Sequence, residues 1–491
     1  MFESSGIDHK LRKSTFKRRA PKLRERLLQL QYQLLEKKEF PVLVLVNGLD
    51  GAGRSETVNL FNEWMDPRHI RTAAFGKPSD WARERPEMWR FWKALPPKGH
   101  IGVLFGSWYS DPIDERIFGG GKRGALERRL ERIRHFERML VAEGALLLKF
   151  WFHLSRQAQE RRLEELSAHR KTAWRVTKEE WKQFKHYDKL VEVAEEALSE
   201  TSTGEAPWEI IDGADHEFRS LTAGTLLAEA LQARLSGRTP ALSPVPAPPA
   251  QPLDGRTLLK SFNYARRLER AEYKKKLVKH QARLNLLVRD ERMRSRSLVV
   301  VFEGMDAAGK GSAIRRVTQA LDARFYRDIP IAAPTEEERA QPYLWRFWRQ
   351  VPGHRRATIF DRSWYGRVLV ERVEKLAAEE DWMRAYHEIN DFEEQLAQAG
   401  AIVVKFWLAI TPAEQLRRFK ERERTPYKRY KITPEDWRNR KKWPEYERAV
   451  NDMVERTSTD TAPWSIVASD DQLFARIEVL KTLCKRIEER L

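Results

Sequence analysis

Residues 298–312 read LVVVFEGMDAAGKGS, and this stretch decides the expected fold. An apolar run leads into a Gly-x4-Gly-Lys turn, the Walker A pattern, between Gly304 and Lys310. Such a turn links a buried strand to a helix. Its backbone N–H groups hold phosphate oxygens, and the lysine neutralises their charge. The stretch therefore predicts an α/β fold of the P-loop type that handles phosphoryl groups.

A second copy of this stretch lies in the first half of the chain, where residues 42–55 read VLVLVNGLDGAGRS. Gly48 precedes Gly304 by 256 residues, and the same spacing relates five more pairs of short motifs. In the second half these motifs are WRFW at 345–348, SWY at 363–365, KFW at 405–407, TST at 457–459 and APW at 462–464. A period this long indicates a duplicated domain, because solenoid repeats are far shorter.

A proline-rich stretch at 236–256 separates the two copies. Its six prolines favour an extended linker. We therefore expect an N-terminal P-loop-like domain at 1–235 and a C-terminal P-loop kinase domain at 257–491.

Apolar runs alternate with helical patterns within each half, which predicts a parallel sheet with helices on both faces. In the second half the predicted strands are 298–302, 357–360, 401–408 and 464–467, and the predicted helices are 312–323, 377–399 and 412–423. A long charged helix is expected before the first strand of each half, at 22–38 and 268–289.

The 491-residue chain is strongly basic, with 91 Lys and Arg against 72 Asp and Glu and a net charge of +19. This excess indicates a polyanionic partner, such as a phosphate chain, nucleic acid or an anionic membrane, with a merely soluble basic surface as the alternative. No apolar run approaches the roughly 18 residues that span a bilayer, so no transmembrane segment is expected. Of the three polyanions, a membrane is not the expected partner. A single cysteine, Cys484, and a charged N-terminus without a secretory signal favour the cytoplasm.

Four side chains are predicted to carry the chemistry: Asp306, Lys310, Asp361 and Arg362. Asp361 ends a predicted strand, at the edge where parallel sheets bind ligands. A carboxylate in a phosphate loop repels phosphate unless a cation lies between them. Asp306 and Asp361 therefore indicate a site for Mg²⁺, with Mn²⁺ as an alternative. The other interpretation of Asp306 is a residue that caps the turn.

The loop also predicts a phosphate cradle made of Gly304, Gly309, Gly311 and Ser312. Gly311 stands where this motif usually has Ser or Thr, and Ser312 follows it. Farther along, residues 422–443 mix many Lys and Arg with aromatic rings. That run is either a solvated helical face or a lid that grips anions.

The order of these motifs resembles the second family of polyphosphate kinases. The matching motifs are GMDxxGKG at 304–311, WRFW at 345–348, DRSWY at 361–365, PxKxxK at 426–431 and TxTxxAPW at 457–464. The resemblance covers nearly all of both halves, and a fused two-copy chain resembles the polyphosphate:AMP phosphotransferase class. It implies a P-loop kinase fold with a helical lid. It also implies transfer of the terminal phosphoryl group of inorganic polyphosphate to a nucleoside monophosphate, with Mg²⁺.

The same resemblance implies roles for individual residues. Asp306 and Asp361 would bind metal and align the reaction, whereas Lys310 and Arg362 would stabilise phosphate. Further contacts to phosphate or polyphosphate are implied for Arg372, Lys428, Lys431 and Arg440.

The first half lacks several of these residues. At the constant spacing, the counterparts of Lys310, Asp361, Arg362, Lys428 and Arg440 are Arg54, Phe105, Gly106, Thr172 and Phe184. The loss of the second carboxylate removes half of the expected metal site. We therefore expect a non-catalytic first domain, which could still bind polyphosphate through its basic lid.

Two other functions remain open at this point. The Gly-Lys-Gly-Ser loop alone would also suit an ATP-dependent nucleoside monophosphate kinase. A basic protein that binds RNA or single-stranded DNA ranks third, because no nucleic-acid motif is present. Whether the chain forms a homodimer or a higher homo-oligomer is not fixed by the sequence.

Overall fold

The structure is a computed structural model that describes residue 2, residues 9–237 and residues 258–491. These residues form two compact units. The first contains residues 2, 9–78, 90–237 and 335–342, and the second contains residues 79–89, 258–334 and 343–491. The linker predicted at 236–256 lies outside the described residues except for Ser236 and Gly237. The predicted domain boundaries stay a prediction.

Each half of the sequence builds one five-stranded parallel sheet. The strands are β1 Val42–Gly48, β2 Ile70–Ala74, β3 Ile101–Phe105, β4 Leu146–His153, β5 Trp208–Asp212, β6 Ser297–Gly304, β7 Tyr326–Pro330, β8 Ala357–Asp361, β9 Ala401–Ala409 and β10 Trp464–Ala468. The strand orders are β2-β3-β1-β4-β5 and β7-β8-β6-β9-β10, so the two sheets share one topology. The predicted α/β class is confirmed.

Helices flank both sheets. Those of the first half are α1 Lys13–Lys37, α2 Arg54–Trp64, α3 Asp80–Arg83, α4 Trp89–Ala94, α5 Ser110–Phe118, α6 Arg123–Ala142, α7 Arg156–Ala168, α8 Lys178–Lys185, α9 Tyr187–Thr201 and α10 His216–Leu235. Those of the second half are α11 Arg270–Val288, α12 Lys310–Thr318, α13 Glu336–Arg339, α14 Trp345–Trp348, α15 Val370–Val373, α16 Glu379–Gln398, α17 Pro412–Arg424, α18 Pro434–Lys441, α19 Trp443–Thr457 and α20 Gln472–Arg490. None of the described helices is both long and apolar enough to cross a membrane.

The sequence did not predict β7, the edge strand of the second sheet. Three of its five residues are exposed and the other two are only half-buried, and it ends in Pro330. A strand with so little buried surface lacks the apolar alternation from which strands are predicted. Its existence depends on pairing with β8.

Two predicted helices were wrong at their ends. The helix predicted at 312–323 is α12, which begins at Lys310 and ends at Thr318. The chain then turns, and Asp322 pairs with Arg324 at 2.6 Å before β7 begins. The helix predicted to begin at Lys22 is α1, which begins at Lys13 and contains Pro21.

A buried ion pair recurs in both units and anchors the SWY motifs. In the second unit Glu393 accepts hydrogen bonds from Trp364 Nε1 at 3.0 Å, Tyr365 Oη at 2.7 Å and Lys405 Nζ at 2.7 Å. In the first unit Glu137 makes the same three contacts with Trp108, Tyr109 and Lys149. In the second unit this network fixes the segment that directly follows Arg362.

Candidate active site

The glycine loop of the second unit follows β6, the central strand of its sheet. Gly304 has a φ of 153°, and a Cβ atom there would lie 2.7 Å from the carbonyl oxygen of Leu408. Gly309 precedes α12 with a φ of 108°. Both positions need glycine, because other residues rarely adopt these angles and because a side chain at Gly304 would clash. The loop thus delivers Lys310 to the first turn of α12, as predicted.

Lys310 is surrounded by the other charged groups of the site. Its Nζ donates a hydrogen bond to the Gly304 carbonyl oxygen at 2.6 Å. Desolvation, followed by the charge of Arg362, lowers the pKa of Lys310. Three nearby carboxylates oppose that shift, those of Asp306, Asp361 and Glu303. The structure therefore brings the four predicted catalytic residues together at one edge of the sheet.

Glu303 is a member of this cluster that was not predicted from the sequence. Its side chain is buried and accepts a hydrogen bond from Ser363 Oγ at 2.8 Å. Burial raises the pKa of its carboxyl group. One feature of the sequence could have identified it: Glu303 is an acidic residue at the end of an apolar strand, directly before Gly304. Asn47 takes its place in the first half.

The two predicted metal ligands flank the loop. Asp306 Oδ1 accepts a hydrogen bond from Arg362 Nη2 at 3.1 Å, and Asp361 Oδ2 would lie 3.9 Å from a Cβ atom at Gly311. The described residues contain no group of three or more His, Cys, Asp or Glu arranged to hold a metal ion. A cation here would need phosphate and water oxygens to complete its coordination. Mg²⁺ commonly binds in this way, so the donor set fits it.

Arg362 has a backbone conformation that is unusual for a residue with a side chain. Its φ is 64°, and its N–H donates to the Phe302 carbonyl oxygen at 3.0 Å. The first half has Gly106 here, with a φ of 70°. Burial alone would lower the pKa of Arg362, but the surrounding acids outweigh it and raise the pKa. The left-handed conformation costs roughly 1–2 kcal/mol, and strain of this kind tends to cluster at functional sites.

Helix α17 supports the loop from the side. Arg418 Nη1 donates to the carbonyl oxygens of Ala307 at 2.8 Å and Ala308 at 3.2 Å, and Gln415 Nε2 donates to the Asp306 carbonyl oxygen at 3.0 Å. Arg418 is buried. Neither side chain is predicted from the sequence, because both resemble ordinary polar residues of a helix.

A cavity of about 70 Å³ lies over the loop. Asn439 of α18 and Trp443 and Tyr446 of α19 form part of its wall. Asn439 Nδ2 donates to Asp306 Oδ2 at 3.0 Å, so α18 touches the loop directly. Because α18 and α19 lie over the loop, this volume is well below the roughly 300 Å³ that drug-sized ligands need.

We predict that Asn439→Ala lowers kcat/KM by about tenfold to a hundredfold. The amide bonds a charged carboxylate, and such bonds contribute about 1.5–3 kcal/mol. Its loss should loosen the contact between α18 and the glycine loop. Steady-state kinetics would measure the change, with Gln398→Ala, which removes an exposed amide on α16, as control. Rates for Asn439→Ala equal to those of the control would contradict the prediction.

The remaining predicted lid residues do not line this cavity. Arg440 Nη1 donates to the Pro412 carbonyl oxygen at 2.8 Å and to Gln415 Oε1 at 3.0 Å, which holds α18 against α17. Lys428 pairs with Glu421 at 2.7 Å, and this hydrogen bond raises the pKa of Lys428. Lys431 is exposed at the end of the short 3-10 segment Pro426–Lys431.

Arg372 and Ser312 also lie outside the cavity wall. Arg372 pairs with Asp452 at 2.7 Å and faces the Trp382 ring at 4.3 Å. Ser312 Oγ donates to the Gly309 carbonyl oxygen at 2.9 Å. The structure does not bring Arg372 to the loop, and its role as a phosphate ligand stays a prediction.

Charged side chains of the first unit lie against its own glycine loop. Arg54 forms an ion pair with Asp50 and lies 5.3 Å from the centre of the Phe105 ring. The guanidinium of Arg219 lies 2.0 Å from the position that a Cβ atom at Gly53 would take. The space beside this loop is therefore already filled by charged groups of the same unit.

Arg219 is fixed in that position. It donates to the Gly213 carbonyl oxygen at 2.7 Å and to Glu56 Oε2 at 2.6 Å. Burial lowers the pKa of Arg219, and Glu56 partly opposes this shift. The second unit has Ala475 at the corresponding position. The contact between Arg219 and the loop could not be predicted from a local sequence motif, because Arg219 comes 166 residues after Gly53.

Both halves of the chain match a known protein family. Residues 10–238 and 267–491 each match the family described as Polyphosphate kinase 2 (PPK2). The chain belongs to the polyphosphate kinase 2 family. The resemblance seen in the sequence is thereby confirmed for both halves.

Full-length relatives carry a more specific name. A protein of Pseudomonas aeruginosa named polyphosphate:AMP phosphotransferase is 54% identical over 489 residues, covering 99% of each chain. A protein of Pseudomonas syringae with the same name is 51% identical over 100% of this chain and 98% of its own. A solved structure of a polyphosphate kinase 2 from Pseudomonas aeruginosa has 53% sequence identity and a TM-score of 0.90, and the match covers 100% of this chain and 99% of that one.

Proposed function

We propose that this protein transfers the terminal phosphoryl group of inorganic polyphosphate to AMP, giving ADP, and that the second unit carries the reaction. The observation that carries this proposal is the cluster formed by Lys310, Arg362 and three carboxylates at the glycine loop. The names of the full-length relatives support the donor and the acceptor.

The proposed reaction needs little covalent participation by the protein. An oxygen of the acceptor phosphate attacks the terminal phosphorus of the chain, and the bond from that phosphorus to its bridging oxygen breaks. ADP forms, and the donor becomes one phosphate shorter. Positioning and charge neutralisation supply most of the rate in such transfers.

Each residue of the cluster then has a distinct task. Lys310 and Arg362 neutralise the oxygens of the transferring group, and Asp361 orients the attacking oxygen. Mg²⁺ held by Asp306 and Asp361 would supply further charge neutralisation. Glu303 fixes the start of the DRSWY segment through Ser363.

The donor is proposed to lie along the basic lid formed by α17, the segment Pro426–Lys431 and α18. Its exposed cations are Arg417, Lys420, Arg424, Arg429, Lys431, Arg438 and Lys441. A polyphosphate chain carries about one negative charge per phosphate and releases counterions when such cations bind it, as nucleic-acid backbones do.

We therefore expect the KM for polyphosphate to rise roughly tenfold between 50 and 200 mM KCl, as about two or three phosphate contacts would give. The KM for AMP should change far less, and it serves as the internal control. Initial rates across a salt series would measure both constants. A KM for polyphosphate that stays flat would remove the case for an electrostatic donor channel.

The first unit is proposed as a non-catalytic scaffold. The first unit lacks counterparts of Glu303, Asp361 and Arg362. Asp50, the counterpart of Asp306, is paired with Arg54. An ion pair inside the loop leaves neither charge available for phosphate.

Three further expectations belong to this proposal. Mg²⁺ is the metal, and Mn²⁺ substitutes for it. The protein acts in the cytoplasm on inorganic polyphosphate and a nucleoside monophosphate and does not bind nucleic acid. Assembly into a homodimer or a larger homo-oligomer stays open.

A donor screen with AMP would test the function. Purified protein is given AMP with ATP, pyrophosphate, or polyphosphates of several lengths, and ADP is measured. We expect ADP from polyphosphate in the absence of ATP. Turnover with ATP alone would instead support an ATP-dependent nucleoside monophosphate kinase.

A further inference from the structure

A larger cavity of about 340 Å³ lies at the opposite end of the second sheet from the glycine loop. It is lined at the amino ends of β6, β7 and β8, by residues that include Leu298, Tyr326 and Ala357. Strand β6 runs from Ser297 to Gly304, so at about 3.3 Å per residue the cavity lies on the order of 20 Å from the loop. Nothing in the proposed transfer uses it.

The cavity wall is strongly basic. Four arginines line it, namely Arg289, Arg324, Arg355 and Arg356, against a single acidic lining residue, Asp322. Arg324 pairs with Asp322 at 2.6 Å, and Arg355 lies 3.6 Å from Glu291. Within the described part of the chain, no ion pair is formed by Arg289 or Arg356. Two guanidinium groups are therefore available to an anion, and arginine binds phosphate well because its donors form a planar fork.

An aromatic ring stands beside these cations. Phe325 lines the cavity and is 47% exposed, although a large apolar side chain is normally buried. The guanidinium of Arg324 lies 5.6 Å from the centre of this ring. An exposed ring next to arginines is the arrangement on which nucleic-acid bases stack. The volume lies at the lower end of the range for small-molecule sites.

The first unit differs at the same positions. Phe325 and Arg356 correspond to His69 and His100, whose rings lie 5.7 Å apart, and Val288 corresponds to Tyr32. Tyr32 donates a hydrogen bond to Asp66 and lies 6.3 Å from the His69 ring. Three rings thus occupy the region that is open in the second unit.

The backbone conformation of Arg355 also distinguishes this cavity from the same region of the first unit. Arg355 has a φ of 61°, and its counterpart in the first half is Gly99 with a φ of 85°. An arginine at this position is strained, whereas glycine is not. The second unit thus carries a cation at the cavity despite that strain.

We propose that this arginine-lined cavity is a second nucleotide site, in which Phe325 stacks on the base of a nucleoside mono- or diphosphate and Arg289, Arg355 and Arg356 bind its phosphates. The site is separate from the glycine loop and does not depend on the identity of the phosphoryl donor. It would let the concentration of a nucleotide act on the protein away from the site of transfer.

Equilibrium dialysis of the full chain with AMP, without polyphosphate, would test the proposal. The variant Arg289→Gln/Arg356→Gln is expected to bind one AMP fewer per chain than the unaltered protein. The matched control Arg292→Gln/Arg294→Gln removes the same charge from nearby exposed positions outside the cavity wall, and it should keep the full number. Equal loss in both variants, or no loss in either, would overturn the proposal.

A second variant tests the ring and does not rely on the charge changes. Phe325→Ala should weaken AMP binding at the same site at least fivefold, while the thermal transition stays unchanged because the ring is half-exposed. Unchanged AMP affinity would show an inorganic-anion site rather than a nucleotide site. Photolabelling with 8-azido-AMP should mark the peptide that contains Phe325 and Tyr326. Labelling confined to the glycine loop and the lid would overturn the proposal.

Discussion

Lys310→Ala is expected to lower the rate of phosphoryl transfer by about a thousandfold or more. Removal of one preorganised charge that faces a developing anion commonly costs a hundredfold to a thousandfold, and a cation at a transferring phosphoryl group can contribute more. Asp361→Asn should have an effect of the same order, because it keeps the shape of the side chain and removes the charge that would hold a cation. Single-turnover assays with polyphosphate and AMP would measure both variants.

Arg54→Ala is the matched control, since Arg54 is the counterpart of Lys310 in the first half. We expect this variant to keep most of the activity, because Arg54 pairs with Asp50 in a unit proposed to be non-catalytic. Loss of transfer in Arg54→Ala equal to that in Lys310→Ala, with the fold intact, would refute the division of labour between the units. It would leave the proposed reaction itself standing.

Glu393→Ala is expected to destabilise the second unit by about 3–5 kcal/mol, because it leaves the buried ammonium of Lys405 without a counter-charge. Lys405 is fully buried, and its remaining partners are the Tyr365 hydroxyl at 2.7 Å and the Thr457 carbonyl oxygen at 2.7 Å. Burial lowers the pKa of Lys405, and Glu393 is the main influence that raises it. Denaturant unfolding, followed by probes in each unit, would measure the loss.

The double variant Glu393→Gln/Lys405→Met provides the control for this prediction. It removes both charges, keeps an acceptor for Trp364 and Tyr365, and should be more stable than Glu393→Ala. Paired removal of buried charges is often nearly neutral, whereas removal of one partner is not. A single variant within about 1 kcal/mol of the unaltered protein would show that the pair is not needed for stability.

The repeat made much of this protein predictable. One spacing of 256 residues linked six motif pairs, so each motif of one half supported its counterpart in the other. The predicted strands at 298–302, 357–360, 401–408 and 464–467 correspond to β6, β8, β9 and β10; β6 is three residues longer than predicted and each of the others is one residue longer. The edge strand β7 escaped because its stability comes from pairing and not from an apolar pattern.

Some residues of the candidate site were predictable from the sequence and others were not. Asp306, Lys310, Asp361 and Arg362 stood out because a loop motif and a strand end mark their positions. Glu303, Asn439 and Arg418 did not, since each gains its meaning from a partner far along the chain. Asn439 meets Asp306 across 133 residues, and Arg418 meets Ala307 across 111.

The sequence by itself determined the duplication, the parallel α/β sheets and the identity of the phosphate loop, because these depend on local patterns and on glycines whose backbone angles no other residue replaces easily. Only the tertiary structure decided that Arg219 fills the loop of the first unit, that α18 closes on Asp306, and that an arginine-lined cavity is open at the far end of the second sheet. The reason is physical: side-chain charges act over a few ångströms in space, and the fold alone determines which distant residues come within that range.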